Sequence, residues 1–484
     1  MEEFDFILVA QKSIKGVAAL ISRTFLIQLL GIVTFLIISA RLEPEIFGIY
    51  IIAQSVLMFF NYFQDVGLAA SLIQKKENPT INEYRSVFTL QQILVLLLVV
   101  PSIIFSPQIA SFYNLDENGR LLLIALLVTF FLTSLRTIPT VILERQLNFG
   151  RLVIPQIAEN LVFNGLLIML VLMGFGIEAF TISVLSRGVV GLIATYIIQP
   201  WKIGLKLDIK PLKELLSFGV PFQTNNVLAL LKDDLLTVYI GKILPFTQVG
   251  YIGFAQKIAF YPLRLVMDNV IRITFPSYSR LQHDRQALKI AIEKSLFLIS
   301  AFIFPTAGAL IALSPKLIET VPRYSQWEPA LLAIMFFALN TVFSSISTPL
   351  TNFLNAIGKV KITLYFMAFW TSATWILTIY LIGKMGYNGV AIASFLVSLT
   401  SIFVFAVTRK YVKFSFLRPV GRQFIAAVGM FVILIFIRSW IDSVFTLIII
   451  SIIGGISYIA ILTPLAYREL LLTTRFIMKS IRNK

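Results

Sequence analysis

Two stretches decide the fold when they are set side by side: Ala40-Arg-Leu-Glu-Pro-Glu-Ile-Phe-Gly-Ile-Tyr-Ile-Ile-Ala-Gln54 and Gly241-Lys-Ile-Leu-Pro-Phe-Thr-Gln-Val-Gly-Tyr-Ile-Gly-Phe-Ala-Gln256. In each, a short polar turn with a proline runs into an apolar segment, and Gly48, Ala53 and Gln54 recur as Gly250, Ala255 and Gln256 at the same spacing. Two further matches follow in the same order. Asn148-Phe-Gly150-Arg151 resembles Ala356-Ile-Gly358-Lys359, and Met173-Gly-Phe-Gly-Ile-Glu-Ala179 resembles Met385-Gly-Tyr-Asn-Gly-Val-Ala391. The separations, Gly48 to Gly250, Gly150 to Gly358 and Gly174 to Gly386, are 202, 208 and 212 residues, one drifting register of a duplicated unit. Any one match alone has chance similarity of apolar strings as its competing reading; three in order favour duplication.

Around these stretches the chain is apolar throughout. Of its 484 residues 58% are hydrophobic and 13% charged, against roughly 45–50% and 25% in ordinary soluble proteins. That excludes a water-soluble enzyme and makes the bilayer the solvent. A span needs about 20 mostly apolar residues. Segments of that kind lie at Gly16 to Ala40, Ile46 to Ile73, Val87 to Phe105, Leu121 to Leu135, Val153 to Gly174 and Ile177 to Ile198. After a polar break they resume at Phe218 to Ile240, Val249 to Phe275, Ile290 to Leu313, Ala330 to Leu350, Ile362 to Ile382, Gly389 to Val407, Phe424 to Arg438 and Phe445 to Pro464. The expected fold is an all-α integral membrane protein of about fourteen transmembrane helices. Two six-helix lobes form a parallel repeat about a pseudo-two-fold axis along the membrane normal, and two C-terminal helices are added. The expected organisation is a first lobe over 1–198, a cytoplasmic linker over 199–217, a second lobe over 218–410, and the extra helices with a basic cytoplasmic tail over 411–484. Too few residues remain for a soluble domain.

The net charge of +17 has to be read by location. With the N-terminus inside, about 27 Lys and Arg fall in cytoplasmic loops and tails and about 7 outside. Both termini are therefore expected in the cytoplasm, in a cytoplasmic (inner) membrane. The acidic head Met1-Glu-Glu-Phe4 does not read as a cleavable signal. Arg468, Arg475, Lys479 and Arg482 suit a helix lying on anionic lipid, or simply a solvated basic tail. With no Cys and the single His283, thiol or His-based metal chemistry is not expected, and neither a cofactor nor nucleic acid is called for.

Charges inside spans carry the functional signal, because each costs about 2.5–3.5 kcal/mol or more near the bilayer centre unless it faces water or a partner. Lys257, Tyr261, Arg264, Asp268 and Arg272 are spaced i, i+4, i+7, i+11 and i+15, which confines them to an arc of about 80°. Arg23 adds a cation on the first span, while Asp65, Glu159, Asn160, Lys232, Asp233 and Asp234 are candidates for cavity lining or ion coupling. Mutual pairing that merely holds helices together is the competing reading. It accounts for one salt bridge more easily than for a stripe with three cations and one acid. Such a wall suits an anion, and phosphate is the anion that Arg holds best.

Locally, Asp65-Val-Gly-Leu-Ala-Ala-Ser-Leu-Ile-Gln-Lys75, Phe275-Pro-Ser-Tyr-Ser-Arg-Leu-Gln282 and Asn355-Ala-Ile-Gly358-Lys359, together with the two-lobe layout, resemble the polysaccharide-unit (Wzx-type, O-antigen) flippases of the multidrug/oligosaccharidyl-lipid/polysaccharide exporter superfamily. The resemblance implies a non-enzymatic carrier that moves an undecaprenyl-pyrophosphate-type lipid-linked oligosaccharide from the inner to the outer leaflet by alternating access. On this reading its cationic cavity comprises Arg23, Lys257, Tyr261, Arg264 and Arg272, and other polysaccharide assembly proteins join anionic lipids as partners. The family has no fixed catalytic signature to transfer. No Gly-x-x-x-x-Gly-Lys-Ser/Thr motif is present, so an ion gradient, membrane potential or substrate consumption would supply the energy. A drug or small-molecule exporter, a peptidoglycan-precursor lipid flippase and, less readily, a membrane glycan polymerase are the alternatives.

Overall fold

The computed structural model describes residues 22–64, 66–75 and 77–482, without the side chains of 218, 220–229, 233, 268–269, 272–273 and 468–482. Asp65 thus lies outside the described residues, as do the side chains of Asp233, Asp268 and Arg272. The described residues are mostly helical, and twelve of their helical stretches are long and apolar enough to cross a membrane. It is a multi-pass membrane protein. A backbone in hydrocarbon must satisfy its own N–H and C=O groups, and a helix does so within one segment.

The chain divides into two compact units, 1–250 and 251–484. The first holds α1 (described from Ser22 to Ser39), α2 (Pro44–Asn61), α3 (Leu68–Gln74), α4 (Ile81–Ile104), α5 (Ser106–Tyr113), α6 (Glu117–Ser134), α7 (Thr137–Arg145), α8 (Phe149–Leu172), α9 (Ile177–Ile198) and α10 (Ile209–Ile243). α11 (Phe246–Arg280) crosses the boundary. The second unit continues with α12 (Arg285–Thr320), α13 (Leu331–Ala356), α14 (Val360–Met385), α15 (Asn388–Leu399), α16 (Ser401–Arg409), α17 (Arg422–Ile437) and α18 (Val444–Arg482). α10 and α11, the expected seventh and eighth spans, are helices of 35 residues each but do not count among the twelve apolar stretches. Lys232 to Asp234 in the one and Lys257, Arg264, Asp268 and Arg272 in the other explain why.

Local signals set the helix boundaries. Thr80 and Glu83 form a capping box at the start of α4, Asp116 accepts from Gly119 N at 2.8 Å, and Asp284 caps α12 through Gln286 N and Ala287 N. Pro44 opens α2, where its missing N–H costs nothing. α18 bends at Ala466, two residues after Pro464.

Helix order recurs along the chain, but the interruptions do not. The expected span Ile46 to Ile73 is broken into α2 and α3 around Gly67, whose φ is +80°, whereas α11 runs unbroken. α6 and α7 part at Leu135 and Arg136, whereas α13 is continuous; α9 is continuous, whereas its later counterpart parts at Thr400 into α15 and α16. The structure also moves the middle match of the repeat. Leu147 (φ 54°) and Gly358 (φ 77°) are the left-handed residues that precede α8 and α14. Their separation is 211 residues, beside 212 for Gly174 and Gly386, so Leu147 rather than Gly150 is the counterpart of Gly358.

Two glycines of the opening stretches meet the first turn of each other's helix. A Cβ on Gly48 would overlap the backbone of Phe246, and one on Gly250 would overlap that of Pro44. α2 and the start of α11 thus cross at backbone contact, a geometry open only to residues without a side chain. Between α9 and α10, the segment 199–208 is strapped along α4. Lys206 N donates to Thr89 Oγ1 and Asp208 N to Ser86 Oγ, both at 3.0 Å, and Trp201 packs edge-on against Phe88. Residues 209–217 of the expected linker already belong to α10; Pro211 sits in its first turn, where no N–H is needed.

The first unit has a core of Leu68, Leu72, Val87, Phe88, Ile138, Val141, Leu212 and Leu215, which ties α3, α4, α7 and α10 together. Arg145, at the end of α7, donates to the carbonyls of Leu72, Ile73, Lys75 and Glu77 and so closes the C-terminus of α3. Lys75 is bonded to Glu83, which holds its ammonium above the ordinary lysine range. In the second unit Phe254 stacks on Trp327 at 4.1 Å, and a larger core joins α12, α13, α16, α17 and α18.

Gly48→Ala and Gly250→Ala should each lower the thermal unfolding midpoint of detergent-purified protein by several degrees, since overpacking costs typically about 1–3 kcal/mol. Gly165→Ala, where a Cβ meets nothing within 4 Å, should leave it unchanged or raise it slightly.

Candidate functional site

Of the two described carboxylates of the sequence-derived set Glu159 is the more deeply buried, 5% exposed in the middle of α8. An isolated charge at that depth is untenable, and the fold brings it two arginines. The break between α6 and α7 turns Arg136 inward, and its Nη1 reaches Glu159 Oε2 at 2.6 Å. Arg187, on α9, places Nη2 at 3.8 Å from Glu159 Oε1. Gly191, one turn after Arg187, makes room: a Cβ there would lie 2.7 Å from Arg136 Nη1 and against the carboxylate itself. The Arg136 contact is an ion pair without the alignment of a regular hydrogen bond.

A cavity of about 250 Å3 adjoins this cluster, lined among others by Arg136, Glu144, Gln156, Glu159, Thr140 and Thr195. Thr140 and Thr195 donate back to Arg136 O and Gly191 O, which leaves their lone pairs for the cavity. Gln156 Oε1 is buried there without a hydrogen-bond partner. Burial raises the Glu144 carboxyl above the usual glutamate range. Nearby, Gln91 donates to Thr137 Oγ1 at 2.8 Å and Ser134 donates to Gln92 Oε1 at 3.1 Å, a polar layer inside the unit.

The other predicted residues are placed as follows. Asn160, and Asn164 beyond it, fold back on α8: each amide donates to the carbonyl four residues earlier at 2.7 Å. Arg23 is half-buried on α1, and Lys232 and Asp234 are half-buried on α10; Asp233 shares that helix. In the second unit Lys257 and Arg264 are exposed and Tyr261 half-buried on α11, which also carries Asp268 and Arg272. The structure therefore joins Glu159 to Arg187, an in-span cation legible in the sequence but given no role in the expected cavity, and to Arg136, which the candidate set omitted. Arg136 read as a topological charge because it follows the fourth span. The one local sign of its role was the pair Gly188 and Gly191 on α9, small residues three apart that allow close helix approach.

A second cavity of about 340 Å3 in the first unit is lined by Glu43, Glu45, Asn114, Asp116 and Glu178 among others, and Asn118 donates to Glu178 there at 2.8 Å. These residues belong to the loops expected outside the cell. Among the described residues no group of three or more His, Cys, Asp or Glu could hold a metal ion.

Comparison with known proteins bears on the family and the fold. Residues 37–332 match a family described as polysaccharide biosynthesis protein. The chain is 22% identical over 366 residues to the lipopolysaccharide biosynthesis protein WzxC of Escherichia coli (strain K12), covering 75% of this chain and 73% of that protein. It is 23% identical over 329 residues to the succinoglycan biosynthesis transport protein ExoT of Rhizobium meliloti (strain 1021), covering 67% of this chain and 65% of that one. Among solved structures it is similar to the lipid II flippase MurJ in an inward closed conformation, with a TM-score of 0.76 at 17% identity, over 93% of this chain and 99% of the other. That likeness is one of fold.

Glu159→Gln and Arg136→Gln should each destabilise the protein, by about 3–5 kcal/mol if the pair is fully desolvated. The double variant should recover much of the loss. Thermal unfolding of the four proteins measures the coupling, and strictly additive effects would show the contact to be incidental.

Proposed function

The chain belongs to the polysaccharide biosynthesis protein family, and from that premise we propose that it carries a polyprenyl-pyrophosphate-linked oligosaccharide from the inner to the outer leaflet of the cytoplasmic membrane, for assembly of a surface polysaccharide. The observation that carries the proposal is the exposed cationic face of α11, with Lys257 and Arg264 seven residues apart in a mostly apolar stretch. A lipid-soluble substrate needs that charge only if its head is anionic. A diphosphate loses hydration on entering the membrane, and guanidinium groups replace it with charge-assisted hydrogen bonds. The polyprenyl tail remains in lipid throughout.

In this reading Arg23, Lys257, Tyr261, Arg264 and Arg272 contact the diphosphate and first sugars. Asp65, Glu159, Asn160, Lys232, Asp233, Asp234 and Asp268 line the path or couple it to an ion gradient. α10 and α11 are spans too, which makes fourteen and leaves both termini in the cytoplasm, in line with the Lys and Arg asymmetry. The protein is a carrier and makes or breaks no covalent bond. Transport proceeds by alternating access, and other polysaccharide assembly proteins supply and consume the lipid-linked unit.

Deletion of the gene should make lipid-linked glycan accumulate on the inner leaflet while surface polysaccharide disappears; unchanged surface glycan would sink the proposal. Arg264→Ala with Arg272→Ala should insert normally yet lose export at least tenfold, while the corresponding Lys variants keep part of it. Full export by the double Ala variant would show the α11 cations to be structural.

A further inference from the structure

We propose that Arg187 is the diphosphate contact of the first compact unit, with Glu159 and Phe163 positioning its guanidinium and Arg136 neutralising Glu159 so that the charge of Arg187 stays available. The inference rests on the carrier function proposed above. It begins with depth. Arg187 lies ten residues after Ile177 and eleven before Ile198 in α9, about 15 Å from either end of the helix at 1.5 Å per residue. A cation there costs about 2.5–3.5 kcal/mol or more unless it meets a partner or water, and its side chain is 40% exposed.

The side chain lies outside the arc of exposed apolar residues on its helix. The exposed apolar side chains of α9 are Ile182, Val189, Ile193 and Ile197, which fall in one arc of about 80° whose near edge is about 80° from Arg187. The same holds on α8, where Ile154, Leu161, Met169 and Leu172 are exposed and turn away from Glu159. Arg187 thus stands about 120° from the centre of that arc, and in this proposal its open side meets water rather than lipid.

Charge decides what can bind there. Arg136, Glu159 and Arg187 sum to +1, and the distances show which cation the carboxylate neutralises. Arg136 is at 2.6 Å and well covered, with 16% of its side chain exposed, whereas 3.8 Å to Arg187 is too long for a hydrogen bond. Arg187 is thus oriented by Glu159 on one side and by the ring of Phe163, 5.7 Å away, on another, while most of its five N–H donors remain for a ligand. A planar fork of donors with a net positive charge and a partly exposed guanidinium suits phosphate oxygens. A purely structural salt bridge needs one cation for its one carboxylate, and here the second cation leaves a surplus charge.

The test uses the full chain in a strain that lacks its own copy, and the purified protein in detergent. Arg187→Gln should reduce surface glycan at least tenfold and Arg187→Lys should give an intermediate level. Inorganic pyrophosphate should raise the unfolding midpoint of the wild type, and this shift should vanish in Arg187→Gln while the midpoint without pyrophosphate changes little. Arg136→Gln should also weaken the shift, because Glu159 then cancels Arg187, and Arg136→Gln combined with Glu159→Gln should restore it. Because the chain has no cysteine, Arg187→Cys provides a single thiol, expected to react with a water-soluble methanethiosulfonate. Reaction with a lipid-soluble maleimide alone would place the residue in lipid and overturn the inference. Undiminished export and an unchanged pyrophosphate shift in Arg187→Gln would overturn it too, with the carrier function intact. Failure of the wild type itself to restore surface glycan would instead remove the carrier function, and the pyrophosphate shift and thiol labelling would then decide the anion contact by themselves.

Discussion

A charge or a hydrogen-bonding group inside hydrocarbon has no water to fall back on, and that constraint organises this protein from the single side chain upward. Its mildest expression is the habit of polar side chains in the spans of bonding to their own helix. Ser39, Asn61, Asn160, Asn164 and Thr195 all donate to a carbonyl four residues earlier. Its strongest is Glu159 on α8, for which Arg136 from the break between α6 and α7 and Arg187 and the missing Cβ of Gly191 from α9 had to be brought together. Where a helix end leaves carbonyls bare, Arg145 supplies the donors in one stroke for α3.

The same constraint accounts for where the helices break. A helix may be interrupted in a membrane only if the freed backbone groups are buried in protein or reach water. α6 and α7 part next to the polar layer of Gln91, Gln92, Ser134 and Thr137, and the break turns Arg136 toward Glu159. α2 and α3 part at Gly67, which packs against Gly219 at backbone distance. A duplicated helix order has in this way acquired different interruptions along the chain, and the one between α6 and α7 has given Arg136 its place beside Glu159.

How much of this was legible in the sequence depends on the range of the interaction. The helices, the cationic face of α11 and the glycines of the two opening stretches follow from periodicity and spacing, because a helix places residues three and four apart on one face whatever else is near. The middle repeat match was misregistered by three residues, since Gly150 and Gly358 look alike as letters while Leu147 is the residue that adopts the left-handed turn. Lys257 and Arg264 stand out because they sit inside an apolar run, and Arg136 does not because it sits just past one.

By itself the sequence determined that the chain is a many-span helical membrane protein with a repeated helix order, an uneven distribution of loop charge and a set of costly charges inside its spans. All of these rest on hydrophobic length and on contacts within a few residues. Only the tertiary structure decided which of those charges are satisfied and by what. Arg136, Glu159 and Arg187 lie 23 and 28 residues apart along the chain, and no periodicity relates them. Their meeting depends on how α6, α7, α8 and α9 pack, and the energy of a buried charge depends on the few ångströms that packing sets.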